Sequence, residues 1–288
     1  MLHRITHVTE YVYGEPVSCS HHELRLLPRA LPGQRVRAEW LAASPTAAVR
    51  RDRLDWFGNR VTYLAIHERH TRLSVTSELE VEVSAREPAD DPIGWEAVRD
   101  WVRAGESPEA RAAAELALPS PRVAISPAAG ELAAASFPPG RPLLEGARDL
   151  MHRIHADFTY DAAATDVSTP VEDVIRHRRG VCQDFAHLQL ACLRSMGLPA
   201  RYVSGYLATN AQGNRQAIGA DASHAWLSLV LPGGGSLDLD PTNDVVPTDR
   251  HITLAHGRDF GDVTPMRGVI LGGGRHQLNV AVAVDSRG

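Results

Sequence analysis

RRGVCQDFAHLQLACLRSMGLPA, residues 178–200, sets a cysteine between a glycine that can end one helix and the long apolar run that starts the next. Gly180 supplies the stop, and Pro199 prevents the second helix from continuing much beyond Gly197. Between them Phe185, Ala186, Leu188, Leu190, Ala191, Leu193 and Met196 put apolar side chains on most sides of the helix. A helix that is apolar nearly all round belongs in an interior, so the spacing predicts a central, buried helix from about Cys182 to about Gly197. A cysteine in its first turn meets unpaired backbone N–H groups and the positive end of the helix dipole, both of which favour thiolate over thiol. Arg178 and Arg179 add positive charge nearby. Cys182 can be a small buried filler, a metal ligand or a nucleophile, and its neighbours must decide.

Upstream, Leu143, Ala147, Leu150, Met151 and Ile154 recur at helical spacing. Thr169-Pro170-Val171-Glu172 has the form of a capping box with proline at the first helical position, which predicts a helix running to about Arg179. Downstream, ARYVSGYL (200–207), HAWLSLVL (224–231) and SLDLD (236–240) read as strands, the last two joined by the loop Pro232-Gly233-Gly234-Gly235. QLNVAVAV (277–284) aligns Leu278, Val280, Val282 and Val284 on one face as a final strand.

The N-terminal third has a different period. RLSVTSELEVEV alternates Leu73, Val75, Leu79, Val81 and Val83 toward one face, and RVTYLAIH follows the turn-like Phe57-Gly58-Asn59. Residues 1–85 are therefore expected to form a small all-β domain. SAREPADDP, residues 84–92, has the composition of a linker. Beyond it Trp95, Val98, Trp101 and Val102 mark a helix, and 118–142 is a proline-rich, loop-like passage. The expected organisation is an N-terminal β domain at 1–85, an α+β core at 90–265, and a C-terminal strand within 266–288 whose partner is open.

A chain of 288 residues with net charge −5 and scattered basic groups offers no footprint for nucleic acid or an anionic membrane. It has no apolar run long enough to span a bilayer. Cys19, Cys182 and Cys192 are odd in number and form no CxxC pair, so reduced thiols and a cytoplasmic location are expected. All 30 basic side chains are arginine, with no lysine.

A nucleophilic thiolate needs a base and a group to orient that base. His224 opens the HAWLSLVL strand and is the candidate base. Asp238, Asp240 and Asn243 lie on or just past the next strand. If Leu231 pairs with Ser236 across the loop, His224 falls opposite Asn243, and Asp240 stands about 10 Å short along the strand. That register leaves two options, a bulged or skewed pairing that selects Asp240 or a Cys-His-Asn arrangement through Asn243. A zinc set of Cys182, His187, Cys192 and His224 is disfavoured, because the two cysteines are about 15 Å apart along one helix. Asp184 reads as a first-turn capping carboxylate, and Tyr160 as structural or, alternatively, as an oxyanion-stabilising hydroxyl.

GVCQDFAHLQLACLRSMGLPARYVSGYL, followed by SHAW and LDLDPTN, resembles the core of bacterial transglutaminase-like proteins, papain-like thiol enzymes of the transglutaminase superfamily. Tyr11-Val12-Tyr13, HHELRLLPR and Asp55-Trp56-Phe57-Gly58-Asn59 resemble the β domain that precedes this core in bacterial members. The resemblance implies an α+β fold with the cysteine helix packed on an antiparallel sheet, and a Cys-His-Asp triad of Cys182, His224 and Asp240. It implies acyl transfer on peptide or side-chain amides with no metal or organic cofactor and a peptide or protein substrate. Peptidase or amidase activity is expected first, an amine-transferring transglutaminase is the alternative, and a non-catalytic peptide-binding module is the rival from another class. Ser228 and Ser236 stand where relatives often carry glutamate and tryptophan.

Overall fold

Residues 1–85, 92–208 and 223–287 are described by a computed structural model of the chain; most of the expected linker, residues 86–91, lies outside them. Along the chain, β1 (Leu2–Leu24), β2 (Gln34–Ser44), β3 (Val49–Leu54), β4 (Arg60–Ile66) and β5 (His70–Val83) precede the helices α1 (Trp95–Ala104), α2 (Pro108–Leu116), α3 (Pro127–Ala134) and α4 (Leu143–Asp157). Then come β6 (Thr159–Tyr160), α5 (Val171–His177), β7 (Arg179–Gly180), α6 (Cys182–Ser195), β8 (Ala200–Leu207), β9 (His224–Val230) and β10 (Ser236–Leu239). β11 (His251–Gly257), α7 (Phe260–Val263), β12 (Met266–Gly272) and β13 (His276–Arg287) complete the order. Among the described residues no helix is long and apolar enough to cross a membrane.

The expected buried helix is α6. Every residue from Gln183 to Arg194 is buried, and the helix lies between α3, α4 and α5 on one side and β8 and β9 on the other. The core sheet is antiparallel in the order β10-β9-β8-β11. Both faces of this sheet are covered, and Tyr202, Tyr206, Trp226, Leu227 and Leu229 are nearly fully buried.

The second sheet is organised by β1, which pairs with β5 and β13 along its first half and with β4 and β12 along its second. The terminal QLNVAVAV segment thus pairs with β1, from Leu2 opposite Arg287 to Tyr13 opposite His276. Only Val282 and Val284 of its apolar face pack against the core; Leu278 and Val280 are exposed.

The two sheets meet through hydrogen bonds as well as apolar contact. His7 on β1 shares a 2.7 Å hydrogen bond with the Tyr206 hydroxyl on β8. Gln34 clamps the backbone of Thr253 on β11, donating to its carbonyl at 2.8 Å and accepting from its N–H at 2.8 Å. Asn59 does the same at His256, donating to the carbonyl at 2.7 Å and accepting from the N–H at 2.8 Å. β11 is therefore held at fixed register by the N-terminal sheet.

Three local expectations change. The capping box at Thr169 does not form: the Thr169 hydroxyl accepts from Asp166 N–H in the preceding turn, and α5 starts behind Pro170 with no side-chain cap. That helix also stops at His177, since Arg178 takes a left-handed conformation (φ 50°) that turns Arg179 and Gly180 into a short parallel pairing with β6. Within the proline-rich passage 118–142, Ser126 caps Ala129 N–H with Pro127 at the first helical position, and α3 results.

Candidate active site

Cys182 is half-buried and is the first residue of α6. The turn that presents it depends on Asp184, whose carboxylate accepts from Val181 N–H at 2.8 Å and from the Thr165 hydroxyl at 2.6 Å. Asp184 is the capping carboxylate expected from its position. Burial pushes its pKa up, and the two hydrogen bonds pull against that shift. Gly180 makes room for this reach: a Cβ there would lie 2.7 Å from Asp184 Oδ2 and 2.8 Å from Asp184 Cβ. Tyr160, paired with Gly180 across β6 and β7, packs edge-on against Phe185 with ring centroids 6.5 Å apart.

His224 opens β9 opposite Gly205 on β8. A Cβ on Gly205 would lie 2.1 Å from the Ile252 carbonyl and 2.5 Å from the Trp226 ring, so glycine is what lets β11 and Trp226 close around the histidine. The β9–β10 register differs by one residue from the expected one: Ser236 pairs with Val230, and Leu239 with Leu227. A one-residue slip reverses the face of every side chain. Continued by one position, the observed register sets Asp240 opposite Trp226, on the face that carries His224 and at the diagonal distance two long side chains can bridge. Asp240 Oδ2 accepts from His224 Nε2 at 2.8 Å.

Asn243, the competing partner, supports the same carboxylate. Its Nδ2 donates to Asp240 Oδ2 at 2.9 Å, and Asp240 Oδ1 accepts from the backbone N–H of Thr242 (3.0 Å) and of Asn243 (3.3 Å). A further donor had no motif to announce it: His251, the first residue of β11, donates from Nε2 to Asp240 Oδ2 at 3.1 Å. Trp226 packs against both imidazoles, near-parallel to His224 (centroids 6.0 Å) and edge-on to His251 (5.1 Å). HITLAHG forms a strand, and nothing in its local sequence tells which neighbour its first histidine meets.

The side chains of His224 and Asp240 are both fully buried. For His224, burial works against the imidazolium, and the Asp240 carboxylate outweighs it through charge and hydrogen bonding, with Cys182 adding a smaller push; the net direction is up. For Asp240, burial works toward the neutral acid and is outweighed first by His224 and then by His251; the net direction is down. Since Nε2 of His224 is taken by Asp240, Nδ1 is the nitrogen left for Cys182. It has no hydrogen-bond partner among the described residues.

The zinc set disfavoured on spacing is not brought together in the structure. His187 Nε2 accepts from Phe260 N–H, and Cys192 is fully buried in the core, where burial pushes its thiol up to about 12. Among the described residues the one group able to hold a metal ion is His224, Asp240 and His251, whose ligand atoms lie within 4.8 Å of one another. Both imidazoles address one carboxylate oxygen at hydrogen-bond distance, which accounts for their convergence without an ion.

A half-buried cysteine at the head of a central helix, facing a buried His-Asp pair on an antiparallel sheet, defines the papain-like thiol-enzyme fold. Comparison with known proteins agrees. Residues 3–82 match the bacterial transglutaminase-like N-terminal region and residues 132–241 the transglutaminase-like superfamily. An uncharacterized protein of Mycobacterium tuberculosis is 42% identical over 293 residues, covering 98% of this chain and 91% of that one. A crystal structure described as a "Putative Cysteine Protease from Cytophaga hutchinsonii" superposes with a TM-score of 0.76 at 21% identity, covering 99% of this chain and 90% of that one. The protein-glutamine gamma-glutamyltransferase of Pseudomonas aeruginosa is 33% identical over 92 residues, 31% of this chain and 14% of that one. The chain belongs to the transglutaminase-like superfamily, with the bacterial N-terminal region ahead of the core.

Proposed function

We propose that the protein is a thiol acyl-transfer enzyme acting on peptide or side-chain amides through Cys182, His224 and Asp240. The observation that carries the proposal is the buried His224 with Nε2 on Asp240 at 2.8 Å and Nδ1 left toward Cys182. Asp240 fixes the tautomer and the direction of the ring. The Cys182 sulfur gives its proton to His224 Nδ1 and attacks the carbonyl carbon, and the C=O electron pair moves onto oxygen. The backbone N–H of Cys182, at a helical position with no intrahelical acceptor, faces that oxyanion. The C–N bond then breaks as His224 returns the proton to the leaving amine. The resulting thioester is resolved by water or by a second amine.

Hydrolysis is the first reading for that last step, and the structural neighbour described as a cysteine protease supports it at the level of the fold. Amine transfer is favoured by one observation, the short match to a protein-glutamine gamma-glutamyltransferase. With no lysine of its own, the protein cannot crosslink itself through a lysine amine, so an amine acceptor would come from another molecule. The proposal includes a peptide or protein substrate and a cytoplasmic location, the latter supported by three cysteines in no disulfide. Incubation with a glutamine peptide and a labelled primary amine separates the two reactions. Ammonia release outrunning label incorporation is expected; the reverse overturns the hydrolytic reading, and neither product with either the wild type or Cys182→Ala overturns glutamine as the acyl donor.

A further inference from the structure

Asp240 draws three side-chain donors onto one oxygen, and two of them, Asn243 and His251, stand outside the Cys-His-Asp set. We infer that His251 is a positioning residue for this site, holding the Asp240 carboxylate on His224 and tying its place to the N-terminal sheet. The inference rests on the thiol acyl-transfer reading and gives the N-terminal region a part in it.

Three observations carry it. His251 is buried, and the Asp240 contact at 3.1 Å is its only side-chain hydrogen bond among the described residues. His7, buried where the two sheets meet, satisfies both ring nitrogens, with Tyr206 and Thr9. His251 instead commits Nε2 to the carboxylate, and its Nδ1 has no partner. Since Asp240 carries the negative charge, Nε2–H donates.

The ring is also locked against the histidine it would help to orient. Trp226 lies edge-on to His251 at 5.1 Å and near-parallel to His224 at 6.0 Å, so the two imidazoles are held at a fixed separation by one indole. The titratable and charged groups around His251 are Asp240 and His224 (ring centroids 6.1 Å apart) on one side and, across a cavity of about 50 Å³, Arg201, Asp238 and His256.

The third observation concerns the strand. β11 is positioned by the N-terminal sheet, through the paired Gln34 bonds to Thr253 and the paired Asn59 bonds to His256. Thr253 stands two residues from His251, on the same strand face. A shift of β11 would carry the His251 donor away from Oδ2, and the carboxylate would keep two side-chain donors where it now has three. The N-terminal sheet therefore sets the third donor of the site although none of its own residues touches Asp240.

The experiment follows alkylation of Cys182 by iodoacetamide across pH, read by mass spectrometry of the Cys182 peptide, so no natural substrate is needed. His251→Phe keeps a ring against Trp226 and removes the donor; His251→Gln keeps an amide donor. Thermal melts of both report the fold separately. Loss of a hydrogen bond to a charged group should slow alkylation at mildly acidic pH about tenfold in His251→Phe and move its profile to higher pH. His251→Gln should recover most of the rate, and Gln34→Ala should show a smaller change of the same sign. A His251→Phe profile that overlays the wild type overturns the inference, as does a His251→Gln variant no better than His251→Phe. Wild-type protein in which Cys182 fails to react preferentially at acidic pH overturns the acyl-transfer reading instead, so the two failures are distinguishable.

Discussion

Asp240→Asn is the substitution for which the structure gives the sharpest outcome. Five N–H groups converge on the carboxylate: His224, His251 and Asn243 side chains on Oδ2, and the Thr242 and Asn243 amides on Oδ1. Asparagine offers one oxygen and one NH₂ in the same space. With its oxygen toward the histidines, the NH₂ faces the two backbone N–H groups. Two buried donors left unsatisfied at about 1–3 kcal/mol each destabilise the fold by about 2–6 kcal/mol. Turned the other way, the NH₂ faces three donors. The histidines can relieve that clash only by moving their protons from Nε2 to Nδ1, and His224 Nδ1 then donates toward Cys182 and cannot take the thiol proton. Either way the charge that favours the imidazolium is gone, a loss of about 1.5–3 kcal/mol or about tenfold to 150-fold in rate. The assay is iodoacetamide alkylation of Cys182 at mildly acidic pH beside a thermal melt. A folded Asp240→Asn protein that alkylates within about twofold of wild type, over an unshifted pH profile, would refute this reasoning.

Gly180→Ala should push Asp184 off Val181 N–H, loosen the first turn of α6 by about 1 kcal/mol and lower the Cys182 reaction rate more than it lowers stability; an unchanged rate would show the turn to be tolerant. Cys192, buried and with its thiol pushed up, should take no label until the protein is denatured, which peptide mapping before and after guanidinium will check. The stability contributed by the His224–Asp240 pair should be fullest between the ordinary carboxylate and imidazole ranges, about pH 4 to 6.5, whereas His3, His7, His22 and His187, lowered by burial, take stability away as pH falls through the same range. The lowered Asp240 contributes above its unfolded value and is lost on acidification, while the raised His224 contributes below its unfolded value and is lost as pH rises through its folded value. The difference in denaturant midpoint between wild type and His224→Ala across pH should trace that window, and a difference that does not vary with pH would speak against the pair. Chelation by EDTA should leave alkylation of Cys182 unchanged; loss restored by zinc would instead favour a metal on His224, Asp240 and His251.

The helix α6 and the strands β8 and β9 were legible because their apolar runs are long, and β10 because its short alternation follows the proline-glycine loop. β1 was not, because more than half of its buried positions are filled by polar residues. His3, His7, Thr9, Ser20 and His22 all point inward, and His7 is admitted there by its bond to Tyr206 on a strand about 200 residues away. No alternation of apolar letters marks such a strand. At the site, Cys182 and His224 stood out by position, whereas the hairpin register was missed by one residue. That residue decides whether Asp240 faces His224 or turns away. Arithmetic across a three-glycine loop cannot set it, because Leu231 N–H bonds to the Gly235 carbonyl and closes the loop one position earlier than counted. His251 was beyond reach of any local pattern, since its meeting with Asp240 depends on β11 pairing with β8 and docking on the N-terminal sheet.

The central claim is that Cys182 is the nucleophile, activated by His224. Limited iodoacetamide at mildly acidic pH, followed by peptide mapping of all three cysteines, tests it most directly. The account predicts an adduct on Cys182 alone, abolished in Cys182→Ala and strongly slowed in His224→Ala. Equal labelling of half-buried Cys19, or a Cys182 rate indifferent to the loss of His224, would contradict it.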